Sequence, residues 1–127
     1  MFLINAVIFY IIIAIMLAFK GEQNIMGRAL MIGAGGVAGV VAHKCCQNPQ
    51  VFKELCIASR TLSKCNALKA KLAGSKTKVT TAQLNANNTA EIIALIEQFK
   101  PDIVINVALP YQDLTIMEAC LATKVHY

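Results

Sequence analysis

Between Arg28 and His43 a short apolar run breaks into glycines and then resumes with helical spacing: Arg28-Ala-Leu-Met-Ile-Gly33-Ala-Gly35-Gly36-Val-Ala38-Gly39-Val-Val-Ala-His43. A strand, a tight turn and a helix in immediate succession satisfy this pattern, and few other backbones do. Gly33 permits the tight turn, Gly35 presents no side chain to hold a ligand off the backbone, and Ala38 is small enough for helix and strand to pack closely. The N–H groups that open the helix have no partner within it, and the positive end of the helix dipole points the same way. Together they make a seat for an anion that needs no side-chain cation. In outline this is a G-x-G-x-x-A dinucleotide cradle, with Gly36 and Val37 on the same turn.

Glycine turns abound in ordinary loops, so the context of this one decides its meaning. Dinucleotide sites place a ribose-reading residue about 20 positions on, at the end of the next strand. There the chain has Glu54-Leu-Cys-Ile-Ala-Ser59-Arg60-Thr61, an apolar strand ending in a hydroxyl and a guanidinium where an NAD site carries Asp or Glu. A carboxylate accepts from the ribose hydroxyls and repels a 2′-phosphate. Ser59 and Arg60 can instead donate to that phosphate, Arg60 through a planar fork. The expected cofactor is therefore NADP(H) rather than NAD, on Gly33, Gly35 and Ala38 at the turn and Ser59 and Arg60 at the end of the second strand. The competing reading of Arg60 is a solvated charge at a strand end.

From Arg28 onward strand and helix alternate. Strand Arg28–Ile32 leads to a helix over Gly36–Gln47, strand Glu54–Ser59 to Leu62–Ala73, strand Lys78–Leu84 to Thr89–Phe99, and strand Asp102–Val107 to Asp113–Thr123. Asn88-Thr89 before Glu91 signals a helix start, and Lys100-Pro101 a stop. Such alternation implies parallel strands joined by right-handed crossovers. Leu30-Met-Ile and Ile103-Val-Ile are continuous apolar runs, as strands covered on both faces require. The expected fold is α/β, a Rossmann-type doubly wound parallel sheet with four strands and the opening of a fifth at Val125-His126-Tyr127.

At 127 residues there is room for one domain. Apolar residues make up 57% of the chain, above the usual range of about 45–50%, but much of the excess lies in the first 19 positions. The formal charge of +5 is carried by Lys and Arg scattered singly and without interleaved aromatics, which speaks against nucleic acid as a partner. Five cysteines, at 45, 46, 56, 65 and 120, form no C-x-x-C and no Cys/His spacing suited to zinc, so no metal is expected. Cys56 in an apolar strand and Cys120 in an apolar helical stripe read as reduced, buried thiols of a cytoplasmic domain. The vicinal Cys45-Cys46 is the one redox candidate. His43 and His126 are expected to be structural, since neither stands at a strand's C-terminal end.

Phe2 to Phe19 carries no charge and only Asn5 and Tyr10 as polar residues. As a helix it would be about 27 Å long, just enough to cross hydrocarbon. No basic residue precedes it and no A-x-A-like site follows, so a secretory signal is disfavoured. Two readings stay open: an apolar N-terminal helix that anchors the protein to a membrane, or sequence upstream of a true start at Met26. Both divide the chain into a leader, 1–25, and a domain, 26–127.

Taken together, Gly33-Ala-Gly-Gly-Val, Ala58-Ser59-Arg60-Thr and Ile105-Asn106-Val-Ala-Leu109-Pro110-Tyr111-Gln-Asp113 resemble the saccharopine dehydrogenase family, and most of all its carboxynorspermidine (carboxyspermidine) dehydrogenase branch. The resemblance covers Met26 to Tyr127. It implies an NADPH-dependent oxidoreductase of polyamine or lysine-type metabolism that reduces the imine formed between an amine and a semialdehyde, homodimeric in intact relatives. It also implies that Gly33, Gly35, Gly36 and Val37 lie along the pyrophosphate, that Ser59 and Arg60, with Thr61 beside them, hold the adenosine 2′-phosphate, and that Ala108, Leu109, Pro110 and Tyr111 pass near the nicotinamide. Asn85 stands where these proteins often have Asp near the adenine, and an amide still hydrogen-bonds there. The family's substrate domain falls beyond Tyr127, so no catalytic residue is assigned and turnover by this chain alone is not expected. Two other readings are a membrane-tethered nucleotide sensor, whose relatives usually keep an acid after the second strand, and the inactive remnant of a truncated gene.

Overall fold

The computed structural model describes residues 11–14 and 27–127. The leader expectations therefore fall outside the described residues, apart from one helical turn at 11–14. Among the described residues no helix is long and apolar enough to cross a membrane.

Four strands, β1 (Arg28–Ile32), β2 (Glu54–Ser59), β3 (Lys78–Gln83) and β4 (Ile103–Asn106), form one sheet in the order β3-β2-β1-β4. All three pairings are parallel, with Ile32 level with Ala58 on one side and with Asn106 on the other. Helices α1 (Gly36–Cys46), α2 (Leu62–Lys71), α3 (Thr89–Phe99) and α4 (Asp113–Thr123) make the crossovers. Alternation along β1 feeds two cores. Leu30 and Ile32 pack with Ile92, Ile96, Ile116 and Cys120 of α3 and α4, while Ala29 and Met31 pack with Ala38, Ala42, Cys65 and Leu68 of α1 and α2. Both faces of the sheet are thus covered, which is why the central strands read as unbroken apolar runs. The expected fifth strand is present as a single parallel bridge from His126 to Ile103, with the Val104 N–H donating to the His126 carbonyl at 2.8 Å.

The helix ends follow local chemistry. Asn88 caps α3 by accepting from the Glu91 N–H at 3.3 Å, and the Glu91 carboxylate accepts from the Asn88 amide at 3.2 Å. Lys100 closes α3 in the left-handed region (φ 54°) just ahead of Pro101. α2 stops two residues short of the expected Ala73. Its last turn tightens to i−3 bonds, Leu72 N–H to Lys69 C=O and Ala73 N–H to Ala70 C=O, before Gly74 reverses the chain at φ +93°. The other boundaries agree with expectation to within one residue.

Candidate functional site

Because the strands are parallel, their C-terminal ends share one edge of the sheet, and a cavity of about 470 Å³ opens there. Gly33 forms its floor. The Gly33 N–H donates to the Ala58 carbonyl at 2.8 Å, and Gly33 itself adopts φ +123°. A Cβ built on it would meet the Val107 oxygen at 2.7 Å and the Ala108 nitrogen at 2.9 Å. Glycine is therefore required at 33 both for the dihedral and for the close passage of the chain leaving β4. Gly35 and Gly36 differ: a Cβ on either meets nothing within 4 Å. Their freedom from side chains leaves open space directly over the start of α1. No side chain caps that helix and its first turn holds no acid, so its N–H groups and dipole face the cavity uncompensated.

The second anchor lies at the end of β2. Ser59, Arg60, Thr61 and Lys64 line the cavity together. The Ser59 hydroxyl accepts from the Thr61 N–H at 3.3 Å, donates to the Thr61 carbonyl at 3.1 Å and touches Cys65 Sγ at 3.1 Å. Gln83 Nε2 donates to the Arg60 carbonyl at 3.1 Å. This backbone is fixed while the Arg60 and Lys64 head groups stay exposed. α2 likewise has neither a side-chain cap nor an acid in its first turn. Among the described residues no Asp or Glu lines the cavity. Two helix N-termini and two cations therefore converge on a space without a carboxylate, which suits a ligand with several phosphates.

Nine of the thirteen residues named from the sequence line this space: Gly33, Gly35, Gly36, Val37, Ser59, Arg60, Thr61, Ala108 and Leu109. The other four lie elsewhere. Ala38 is fully buried between α1 and the sheet, where its small size serves packing rather than ligand contact. Asn85 is exposed, its side chain accepting from the Asn87 N–H at 3.1 Å and its own N–H donating to Glu91 at 3.0 Å. Leu84 and Ala86, on either side of it, line the cavity instead. Pro110 begins a 3₁₀ turn, Pro110–Gln112, and Tyr111 is 68% exposed on its outside. The residue of that turn that reaches the cavity is Gln112. Lys64 and Gln112 were missed by sequence reasoning; Lys64 carried a signal, standing three residues after Thr61 on the same helical face.

The chain leaving β4 is held by a small polar network. Asn106 Oδ1 accepts from the Ala108 N–H at 2.9 Å, its amide donates to Asp113, and the Tyr127 hydroxyl donates to the same carboxylate oxygen at 2.6 Å. Burial, and the Asp113 carboxylate that accepts its proton, push the Tyr127 phenol above its ordinary value. His43 and His126 are exposed and do not line the cavity. Among the described residues no cluster of three His, Cys, Asp or Glu is placed to hold a metal ion.

Residues 29–127 match the saccharopine dehydrogenase NADP binding domain. The chain belongs to that family. As a saccharopine dehydrogenase NADP-binding domain it is 44% identical over 102 residues to carboxyaminopropylagmatine dehydrogenase of Synechocystis sp., covering 80% of this chain and 25% of that protein. It is 43% identical over 104 residues to carboxynorspermidine synthase of Vibrio cholerae, covering 77% of this chain and again 25% of the relative. The chain thus spans about a quarter of the length of the curated relatives it matches. Its fold resembles that of Pen from Bacillus thuringiensis, with a TM-score of 0.64 at 16% identity over 77% of this chain and 34% of that one. Leucoanthocyanidin reductase from Vitis vinifera, solved as a binary complex with NADPH, gives a TM-score of 0.58 at 18% identity over 79% of this chain and 31% of that one.

Proposed function

We propose that this domain binds NADP(H) for a longer, homodimeric oxidoreductase that reduces an imine formed between an amine and a semialdehyde, in polyamine metabolism. The observation that carries the cofactor assignment is the cavity's charge: Arg60 and Lys64 beside two uncapped helix N-termini, with no carboxylate among the described residues on its walls. The pyrophosphate lies against the N–H groups of Gly35, Gly36 and Val37, in the space that a Cβ at 35 or 36 would enter. Ser59, Arg60, Thr61 and Lys64 hold the adenosine 2′-phosphate. Ala108 and Leu109 border the nicotinamide end, and the Asn106–Asp113–Tyr127 network fixes the course of the backbone there.

When bound, the cofactor supplies a hydride from its nicotinamide ring. This domain's contribution is to orient that ring and to dry one side of it. The imine reading rests on the family resemblance, and the second wall that such a crevice needs is assigned to the remainder of the longer protein. The membrane-tethered sensor reading is disfavoured by Ser59-Arg60, where such a module would keep an acid.

The test is titration of NADPH and NADH into the chain, followed by the fluorescence of the reduced nicotinamide. A charge-assisted pair to phosphate contributes about 1.5–3 kcal/mol, a preference for NADPH of roughly ten- to a hundred-fold. Arg60→Ala should remove most of that preference and Lys64→Ala part of it. Equal affinity of the unmutated chain for both cofactors would refute the 2′-phosphate assignment.

A further inference from the structure

Thr77 and Gln112 are the two polar side chains buried among the described residues. Thr77 is satisfied, its hydroxyl donating to the Phe52 carbonyl at 2.7 Å. Gln112, 4% exposed, is satisfied on three sides: its N–H donates to the Leu109 carbonyl at 3.0 Å, its carbonyl accepts from the Thr115 hydroxyl at 2.9 Å, and its Nε2 donates to Asn87 Oδ1 at 3.3 Å. No described residue donates to its Oε1, yet that oxygen is not sealed off, because Gln112 lines the cavity. An amide oxygen that opens onto the cavity and takes no donor from the described residues is free to accept from a ligand.

The surroundings narrow the ligand group. The cavity's other polar side chains, Ser59, Arg60, Thr61 and Lys64, gather at the end of β2. Gln112 comes from the far loop, and its bond to Asn87 ties it to the segment carrying Leu84 and Ala86, two apolar residues that also line the cavity. Apolar walls with one fixed acceptor suit a flat heteroaromatic ring that presents an N–H. Resting on the NADP(H) reading above, we propose that Gln112 Oε1 accepts from the 6-amino group of the adenine. Gln112 is then the residue that makes the site specific for that base. Asn87 matters equally, since holding Nε2 stops the amide from turning over to offer a donor instead.

The probe is the deaminated cofactor, in which a carbonyl replaces the 6-amino group and the phosphates are unchanged. The full chain should bind NADPH about five- to tenfold more tightly than this analogue, the range of one neutral hydrogen bond lost against a buried acceptor. Gln112→Leu should erase the difference. Gln112→Glu, which keeps an acceptor, should keep it, and this variant holds the test open if the leucine variant fails to fold. Asn87→Ala should raise affinity for the analogue by freeing the amide to rotate. Equal binding of the two cofactors by the unmutated chain overturns the proposal. So does an equal loss for both in Gln112→Leu, which would assign the oxygen to a ribose hydroxyl. Failure of NADPH to bind tighter than NADH is a separate result that overturns the underlying site, whereas Arg60→Ala leaves the discrimination between bases intact if both readings hold.

Discussion

The two glycines of the turn make opposite demands, and alanine at each separates folding from binding. At Gly33 an added methyl would sit 2.7 Å from the Val107 oxygen, 2.8 Å from its carbonyl carbon and 2.9 Å from the Ala108 nitrogen. All three are backbone atoms, and that backbone is pinned by the Val107 N–H on the Ile32 carbonyl and the Ala108 N–H on Asn106, both at 2.9 Å. No flexible side chain can yield. The φ of +123° adds a second penalty. Strain at such a dihedral costs about 1–3 kcal/mol and overpacking about 1–3 kcal/mol more, so Gly33→Ala should destabilise by roughly 2–6 kcal/mol. A domain of this size has only about 5–15 kcal/mol to lose. Gly35 has an ordinary φ of −82° and empty space around its missing Cβ. Alanine there forfeits only the modest preference for glycine at a helix N-cap, at most about 1 kcal/mol, but its methyl enters the space assigned to the pyrophosphate. Urea denaturation followed by circular dichroism, alongside NADPH titration, tests both. Gly33→Ala should move the midpoint sharply downward, while Gly35→Ala should leave it nearly unchanged and lose NADPH affinity. A Gly33→Ala unfolding free energy within about 0.5 kcal/mol of the parent's, or a Gly35→Ala variant as destabilised as Gly33→Ala, would refute the reasoning.

Two further outcomes follow from protonation. Burial raises the thiols of Cys45, Cys56 and Cys120, so they stay protonated at neutral pH, and Cys65 is inaccessible; Ellman's reagent should therefore label Cys46 first in the folded chain, Cys46→Ser should abolish that phase, and rapid labelling of several thiols without unfolding would contradict it. Tyr127 donates to Asp113 only while protonated, and its folded value is raised, so the stabilisation from that bond is present below the ordinary phenol value of about 10 and lost as pH rises through the raised one. Absorbance at 295 nm, compared between the parent and Tyr127→Phe, should show the Tyr127 phenolate appearing above pH of about 10, and Asp113→Ala should lower that midpoint; a parent midpoint at or below 10 counts against the network.

What could be read from the sequence was what the sequence keeps contiguous. The glycine turn, the apolar strand before it and the Ser59-Arg60-Thr61 corner are each a few adjacent residues whose chemistry is local, and their order alone places them along one edge of a parallel sheet. The same holds for the caps at Asn88 and Lys100. The expected residues that do not line the cavity lie where a loop's geometry, rather than its composition, decides which side chain points inward. In the 3₁₀ turn Pro110–Gln112 successive residues point about a third of a turn apart, so Tyr111, which the resemblance puts near the nicotinamide, faces outward while its neighbour Gln112 reaches the cavity. In the segment after β3 the Asx bond from Asn85 to the Asn87 N–H turns the polar residue to solvent and leaves Leu84 and Ala86 facing the cavity. Ala38 was visible in the motif, but the motif's third small residue serves helix packing, and that is where Ala38 lies.

The charge of the site connects its fold to its ligand. α1 and α2 start side by side at the carboxyl edge of the sheet, and neither places a cap or an acid in its first turn. In α3, by contrast, Asn88 and Glu91 satisfy the same groups from within the chain. α3 is thus capped internally, whereas the two helices whose first-turn residues line the cavity leave their N–H groups and dipoles unbalanced, with Arg60 and Lys64 added on the same side. Each omitted cap forgoes about 0.5–2 kcal/mol of stability. A polyanion that fills the cavity restores that loss at both helices at once and binds only the folded chain, so its binding free energy adds directly to the stability of the domain. Weak intrinsic capping and tight phosphate binding are then one property of this edge, seen without and with its ligand.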